Sequence, residues 1–302
     1  MHTNLGEYSK LIKDKALELG FDKCGIVSAQ DLSEQAAGLH EWLSNGYNAE
    51  MQYMNRNADN RLDIRKMVGG ARSLIMVLIN YYNPVDIGKY KIAKYALGKD
   101  YHFVVKEKLA KLKEFIDVNI TATTGRVFVD SAPVMERSYA ALANLGWIGK
   151  NSMLINKDVG SYTFIGELVL DIELKYDELS YKDRCGTCTK CIDACPTKAI
   201  ISHQRIINSE KCISYQTIEK KGAIDPDIAQ LTQGYIFGCD ICQDVCPWNK
   251  KAQMHKTPDF DLIPEIMILD KLSSSMFNKV FRLSPFQRKG YDAMSELFCK
   301  SQ

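Results

Sequence analysis

Apolar and polar positions along the first 170 residues switch between a helical and a strand period. Over residues 5–19, Leu5, Tyr8, Leu11, Ile12, Ala16 and Leu19 fall near one helical face, and Gly20 is a natural stop. A short strand, roughly residues 21–27 (FDKCGIV), follows. Asp31 with Glu34 has the form of a capping box ahead of a helix that ends near Gly46. Residues 73–80, SLIMVLIN, are almost continuously apolar and short, which predicts a buried strand ended by a turn at Asn83 and Pro84. The pattern then predicts a helix over 101–118, a strand over 126–130 (RVFVD), and a helix with Pro133 in its first turn that runs to about Leu145. SMLIN and SYTFIGELVL are further strand candidates. Strands alternating with helices to about residue 172 predict a layered α/β (α+β) domain over 1–175.

The character changes after Asp177. The next seventy or so residues are rich in Cys, Gly, Asp, Lys and Pro, too polar to build much of an apolar core, so this stretch (176–255) is expected to fold around metal. A short tail, 256–302, reads as helical and mixed in charge.

Composition narrows the classes. The chain has 302 residues, 46% hydrophobic and 25% charged, and a formal net charge of +2. Nothing in that balance advertises nucleic acid, although a local basic patch is compatible with it. No run approaches the roughly 18 apolar residues of a membrane span, and the N-terminus lacks the pattern of a secretory signal. A cytoplasmic protein with no membrane partner is expected, and nothing in the pattern calls for more than a monomer.

Of the ten cysteines, only Cys24 and Cys299 lie outside 185–246. A disulfide framework belongs to small secreted chains, so crowded cysteines here point to metal. Cys24 reads as a buried, inert strand thiol and Cys299 as a tail residue. Cys185, Cys188, Cys191 and Cys195, followed by Pro196, spell the bacterial ferredoxin run Cys-x-x-Cys-x-x-Cys-x-x-x-Cys-Pro. Cys212 follows, then Cys239, Cys242 and Cys246 before Pro247. A 4Fe–4S cube needs one thiolate per iron. Tight two-residue gaps supply three, and the last cysteine of each run crosses to the other cube. The expected sets are Cys185, Cys188, Cys191 and Cys246 for one cluster, and Cys195, Cys212, Cys239 and Cys242 for the other. Structural zinc also takes paired Cys-x-x-Cys, but it explains neither three cysteines at two-residue gaps nor two Cys-Pro endings. Two adjacent clusters make a wire, and the domain before them is the expected destination of its electrons.

Several stretches together resemble the epoxyqueuosine reductases, cobalamin-dependent enzymes of tRNA modification. They are RLDIRKMVGGARSLI (61–75), KYALGKDYH (94–102), VDSAPVMERSYA (129–140), LGWIGKNSMLI (145–155), GSYTFIGEL (160–168), CISYQTIEKKG (212–222) and FGCDICQDVCPWNK (237–250), with the first cysteine run. The resemblance spans roughly residues 5–295. It implies a cobalamin-binding N-terminal domain followed by a bacterial-ferredoxin-like domain with two 4Fe–4S clusters, in a short form without the C-terminal helical-repeat domain of many members. It also implies the reaction: epoxyqueuosine at the wobble position of a tRNA anticodon loses its epoxide oxygen and becomes queuosine. An external donor such as a flavodoxin or ferredoxin is expected to load the clusters.

On pattern alone Asp130 is a strand-end residue that caps the following helix; the resemblance makes it the general acid that protonates the departing epoxide oxygen. A free aspartate has a pKa of about 3.9, so this role calls for burial beneath the corrin. Residues 100–105 begin like the Asp-x-His-x-x-Gly box of some cobalamin enzymes, but Val105 replaces the glycine, so His102 is expected at a helix start or on the surface and not on cobalt. Candidate cofactor contacts are Arg61, Asp130, Lys150, Asn151, Ser214 and Asp240. Lys220 with Lys221, and Lys250 with Lys251, are candidate RNA contacts. Trp147 is expected in the core, and Trp248 is a candidate for stacking on a base or the corrin. Two other readings stand beside this one: a related cobalamin and iron–sulfur reductase such as a reductive dehalogenase, and a two-cluster electron carrier without catalysis.

Overall fold

The computed structural model describes residues 4–179, 182–201 and 204–300. The strands among them are β1 (Lys23–Ser28), β2 (Ser73–Asn80), β3 (Lys91–Ile92), β4 (Arg126–Phe128), β5 (Trp147–Ile148), β6 (Leu154–Ile155), β7 (Thr163–Leu170), β8 (Ile200–Ile201), β9 (Ile206–Ile207) and β10 (Tyr235–Phe237). The main sheet has the order β1-β2-β7-β4.

Every pairing in that sheet is antiparallel. The domain is layered as expected, and its antiparallel sheet makes it the α+β form. Alternation of strands and helices carries no information on strand direction, and the long excursions between these strands return the chain either way. β2 lies inside the sheet, and all eight of its residues are buried. Ile75, Val77 and Ile79 pack with Ile12 of helix Leu5–Glu18 and with Val105, Leu109 and Leu112 of helix Tyr101–Asn119. Leu74, Met76 and Leu78 face the other way, toward Leu39, Tyr139 and Ala140. Helices on both faces explain why this strand reads as an unbroken apolar run and not as an alternating one. Gly166 on β7 permits the close approach of helix Tyr101–Asn119: a Cβ there would meet Val105 Cγ1 at 2.6 Å.

Element ends follow local chemistry. Asp100 caps its helix by accepting the His102 N–H at 2.9 Å. Asp31 does not close a capping box; its Oδ1 accepts the Ser33 N–H at 2.5 Å, and Leu32 is the N-cap of helix Ser33–Ser44. The helix after Pro133 begins only at Glu136 and ends at Leu142, which leaves residues 129–135 as a loop.

The tail is not an appendage. Phe277, Phe281, Phe286, Met294 and Leu297 form one core with Ile92, Ala96 and Leu97 from the N-terminal part and with Ile236 and Phe237 from the cysteine-rich part. β10 pairs in parallel with β3 inside this core. Three stretches far apart in sequence thus share one apolar interior.

Candidate active site and metal centres

Asp130 lies two residues beyond β4. Its φ is +53°, in the left-handed region that aspartate tolerates better than most residues. This turn brings Asp130 to groups from two other helix starts. Tyr101 donates its hydroxyl to Asp130 Oδ2 at 2.5 Å. His102 Nε2 stands 3.7 Å from the same oxygen. Glu136 Oε1 accepts the Asp130 N–H at 2.5 Å. The Asp130 side chain is 53% exposed, so in the chain alone it opens outward and is not buried.

The donors around it are well fixed. Tyr101 stacks on Phe164, with ring centroids 4.1 Å apart and planes 6° from parallel. Burial and the facing Asp130 push its phenol well above the ordinary range, so it remains a donor. His102 does sit at a helix start, as expected, and its Nδ1 is 2.7 Å from Asp100 Oδ1. The ring is turned toward Asp130, so it is a residue of the site and not simply a surface histidine.

Two acids missed by sequence reasoning lie beneath the loop. Glu136 is the first residue of its helix. Glu167 sits on β7 opposite Met76 and Phe128 and is fully buried. Burial and the nearby Asp130 push Glu136 up to about 8; burial and Glu136 hold Glu167 well above the carboxylate range. The signal was present for Glu167: a lone acid in an otherwise apolar strand candidate that faces covered layers on both sides. Glu136 left no such mark, because an acid in a first helical turn is ordinary.

Arg61 enters the same recess. Its guanidinium lies 6.0 Å from the Tyr53 ring centroid, it faces Glu136 and Asp130, and its buried Nε has no hydrogen-bond partner. Arg288, which no sequence signal marked, arrives from the tail. It pairs with Glu219 at 2.6 Å and also faces Asp130.

The other expected cofactor contacts divide. Asn151 is buried, and its Nδ2 has no partner. Lys150 is committed to the first cysteine loop, where Nζ donates to the Gly186 and Cys188 carbonyls at 2.8 and 2.9 Å. Asp240 is buried and accepts the Lys94 N–H at 2.7 Å and Gln243 Nε2 at 3.2 Å. Lys150 and Asp240 thus also brace protein backbone, the first cysteine loop and the Lys94 amide. Burial pushes the Cys212 thiol up, and the backbone N–H groups of Tyr215 and Ser214, which point at its sulfur, only partly offset that. Trp147 is core, packed with Ile155 and Cys246, and meets Trp248 edge-on at 4.9 Å. Lys220 pairs with Glu210 at 3.1 Å. Cys24 is half-buried against the sheet core, and burial pushes its thiol up to about 12, as an inert strand thiol requires. The Cys299 side chain lies outside the described residues.

None of the eight clustered cysteines is in a disulfide. They sort into two neighbourhoods. Cys191 faces Cys185 and Cys246, and Cys246 faces Cys185 and Cys188. Cys239 faces Cys212 and Cys195, and Cys242 faces Cys212 and Cys239, with Cys191 of the first set also near Cys242 where the two neighbourhoods adjoin.

Residues 184–249 match the family model described as a 4Fe–4S double cluster binding domain. Residues 61–131, which include Arg61, Tyr101 and Asp130, match the model described as epoxyqueuosine reductase QueG, DUF1730. An epoxyqueuosine reductase of Leadbetterella byssophila is 49% identical over 287 residues, covering 93% of this chain and 94% of the relative. This chain belongs to the epoxyqueuosine reductase family. A solved family structure with an epoxyqueuosine-modified tRNA-Tyr stem loop matches with a TM-score of 0.89 at 26% identity, over 99% of this chain and 81% of that one. The Bacillus subtilis enzyme, solved with its catalytic Asp loop swung out of the active site, matches at 0.88 and 26%, over 99% and 82%. The reductive dehalogenase NpRdhA shares the fold at a TM-score of 0.51 and 15% identity, over 96% of this chain and 35% of that one. No helix among the described residues is long and apolar enough to cross a membrane.

Proposed function

We propose that this chain reduces epoxyqueuosine to queuosine in the anticodon loop of a tRNA, with Asp130 as general acid. The observation that carries the proposal is the Asp130 turn. It holds a carboxyl group at the mouth of a recess, hydrogen-bonded from below and open above, within a chain of this family. Opening an epoxide leaves an alkoxide, which departs poorly unless protonated. Asp130 would hold that proton at Oδ1 or Oδ2, with Tyr101 fixing Oδ2.

The donor sets fit the cofactors. We assign Cys185, Cys188, Cys191 and Cys246 to one 4Fe–4S cluster and Cys195, Cys212, Cys239 and Cys242 to the other; the two thiol neighbourhoods support this crossed pairing. Buried donors without partners at Arg61 Nε and Asn151 Nδ2 suit a ligand rich in carbonyl and phosphate oxygens, as cobalamin is. When bound, the clusters and cobalamin supply the electrons for reduction; an external flavodoxin or ferredoxin would provide them. Tyr53 and Arg288 would face the RNA base and its phosphates, and the Arg288 charge is held in place by Glu219.

The reading is tested with anaerobically reconstituted enzyme and an epoxyqueuosine-containing anticodon stem loop. Asp130→Asn should retain cobalamin and lose turnover. Near-normal turnover of this variant would overturn the assignment of the acid. A wild-type enzyme that takes up clusters but no corrin, and leaves the stem loop unchanged, would favour a plain electron carrier.

A further inference from the structure

We propose that Glu136, held by Glu167, is the positioning residue that clasps the Asp130 loop in its working place. The inference rests on Asp130 being the acid.

A non-glycine residue at φ +53° is uphill unless its surroundings hold it. The loop is anchored at two points, by Tyr101 on the carboxylate and by Glu136 on the backbone N–H. The second anchor fixes the turn itself. A backbone N–H bonded to a carboxyl oxygen is among the stronger backbone bonds when that oxygen carries charge.

Glu167 explains why Glu136 stays where it is. Its two oxygens are buried and accept no hydrogen bond from any donor among the described residues. The group it meets is the Glu136 carboxyl. Two carboxyl groups that face each other have only acceptors unless one is protonated, so a proton held between them is the arrangement that would satisfy both. That proton ties the Glu136 side chain to the central sheet. The charged and titratable groups facing Glu136 are Asp130, Glu167, Arg137, Tyr101 and Arg61. None of the cations competes: Arg137 Nη1 donates to the Ser152 carbonyl, and Arg61 lies over Tyr53. The upward displacement of both acids agrees with a shared proton.

The fold does not ask for this pair. An apolar residue at 167 would suit a position between Met76 and Phe128, and replacing buried polar pairs by apolar residues is often neutral or stabilising. The dyad instead holds one end of the acid loop.

The test compares variants of the reconstituted holoenzyme on the modified stem loop. Glu136→Ala should lower kcat at least fivefold while KM and cobalamin content stay within about twofold. Glu136→Gln keeps an acceptor oxygen for the Asp130 N–H and a donor toward Glu167, so it should recover most of kcat. Glu136→Asp, equal in charge but one methylene shorter, should behave like Ala and guards against an Ala variant that does not fold. A kcat fall under fivefold in both shortened variants overturns the proposal, as does a Gln variant no faster than Ala. If Asp130→Asn is active, the acid assignment fails; if it is inactive while the shortened variants are normal, only the clasp fails.

Discussion

The cysteine module and the acid recess are neighbours with opposite histories in the sequence. Seven of the eight cysteines lie in two tight runs, and two-residue spacing alone brings three sulfurs of the first run toward one cube and two of the second toward the other. The acid recess gathers Arg61, Tyr101, Asp130, Glu136, Glu167 and Arg288 from six separate elements. Metal sites of the first kind are local chemistry with one long-range link in one cluster and two in the other. The second kind exists only once the sheet, its covering helices and the tail are packed. Damage should therefore be local and countable in the module, and graded with distance from Asp130 in the recess.

The largest effect is expected in the module. Cys246→Ser should lose roughly half the iron and all turnover, and Cys188→Ser should show the same cluster's spectroscopic loss. Cys195→Ser should instead match Cys212→Ser. If Cys246 and Cys242 variants share one spectrum, the crossed pairing is wrong and the second run serves a single cube.

Next comes Asp130→Asn, expected to slow single-turnover reduction by about two to four orders of magnitude, the usual share of a general acid. Tyr101→Phe should cost less. It removes one hydrogen bond to a charged group, worth about 1.5–3 kcal/mol, or roughly ten- to a hundredfold in kcat. A Phe variant with wild-type kcat would mean that the acid needs no help at Oδ2.

The smallest effect is on stability, and its sign separates the recess from an ordinary core. Glu136 and Glu167 bind protons more tightly folded than unfolded. Their contribution is fully present below the ordinary glutamate pKa of about 4.3 and is lost as pH rises toward about 8 and beyond. Glu167→Leu should remove that pH-dependent loss and raise Tm at pH 8. Parallel Tm–pH curves for the two proteins would show that the dyad does not titrate in this window.

Much of the framework was legible before folding. The unbroken run at 73–80 became β2, and the periodic stretch at 101–118 became helix Tyr101–Asn119. What pattern could not supply was direction and partnership. The strands run antiparallel, Pro133 precedes its helix by three residues, and the tail joins the core of the cysteine-rich part. Lys150 and Asp240, candidate cofactor contacts by position, also bond backbone groups distant in sequence, which pattern could not foretell.

By itself, the sequence determined the metal chemistry and the main helices and strands, because both depend on spacing over a few residues. Family-specific stretches around Asp130 and the cysteine runs also marked its kinship. Only the tertiary structure decided what surrounds Asp130: a left-handed turn, a tyrosine from a helix start, an arginine from the tail and a glutamate on a central strand. Those groups meet through packing of the sheet and its layers. Burial, which shifts their proton affinities, is a property of that packing and not of any residue alone.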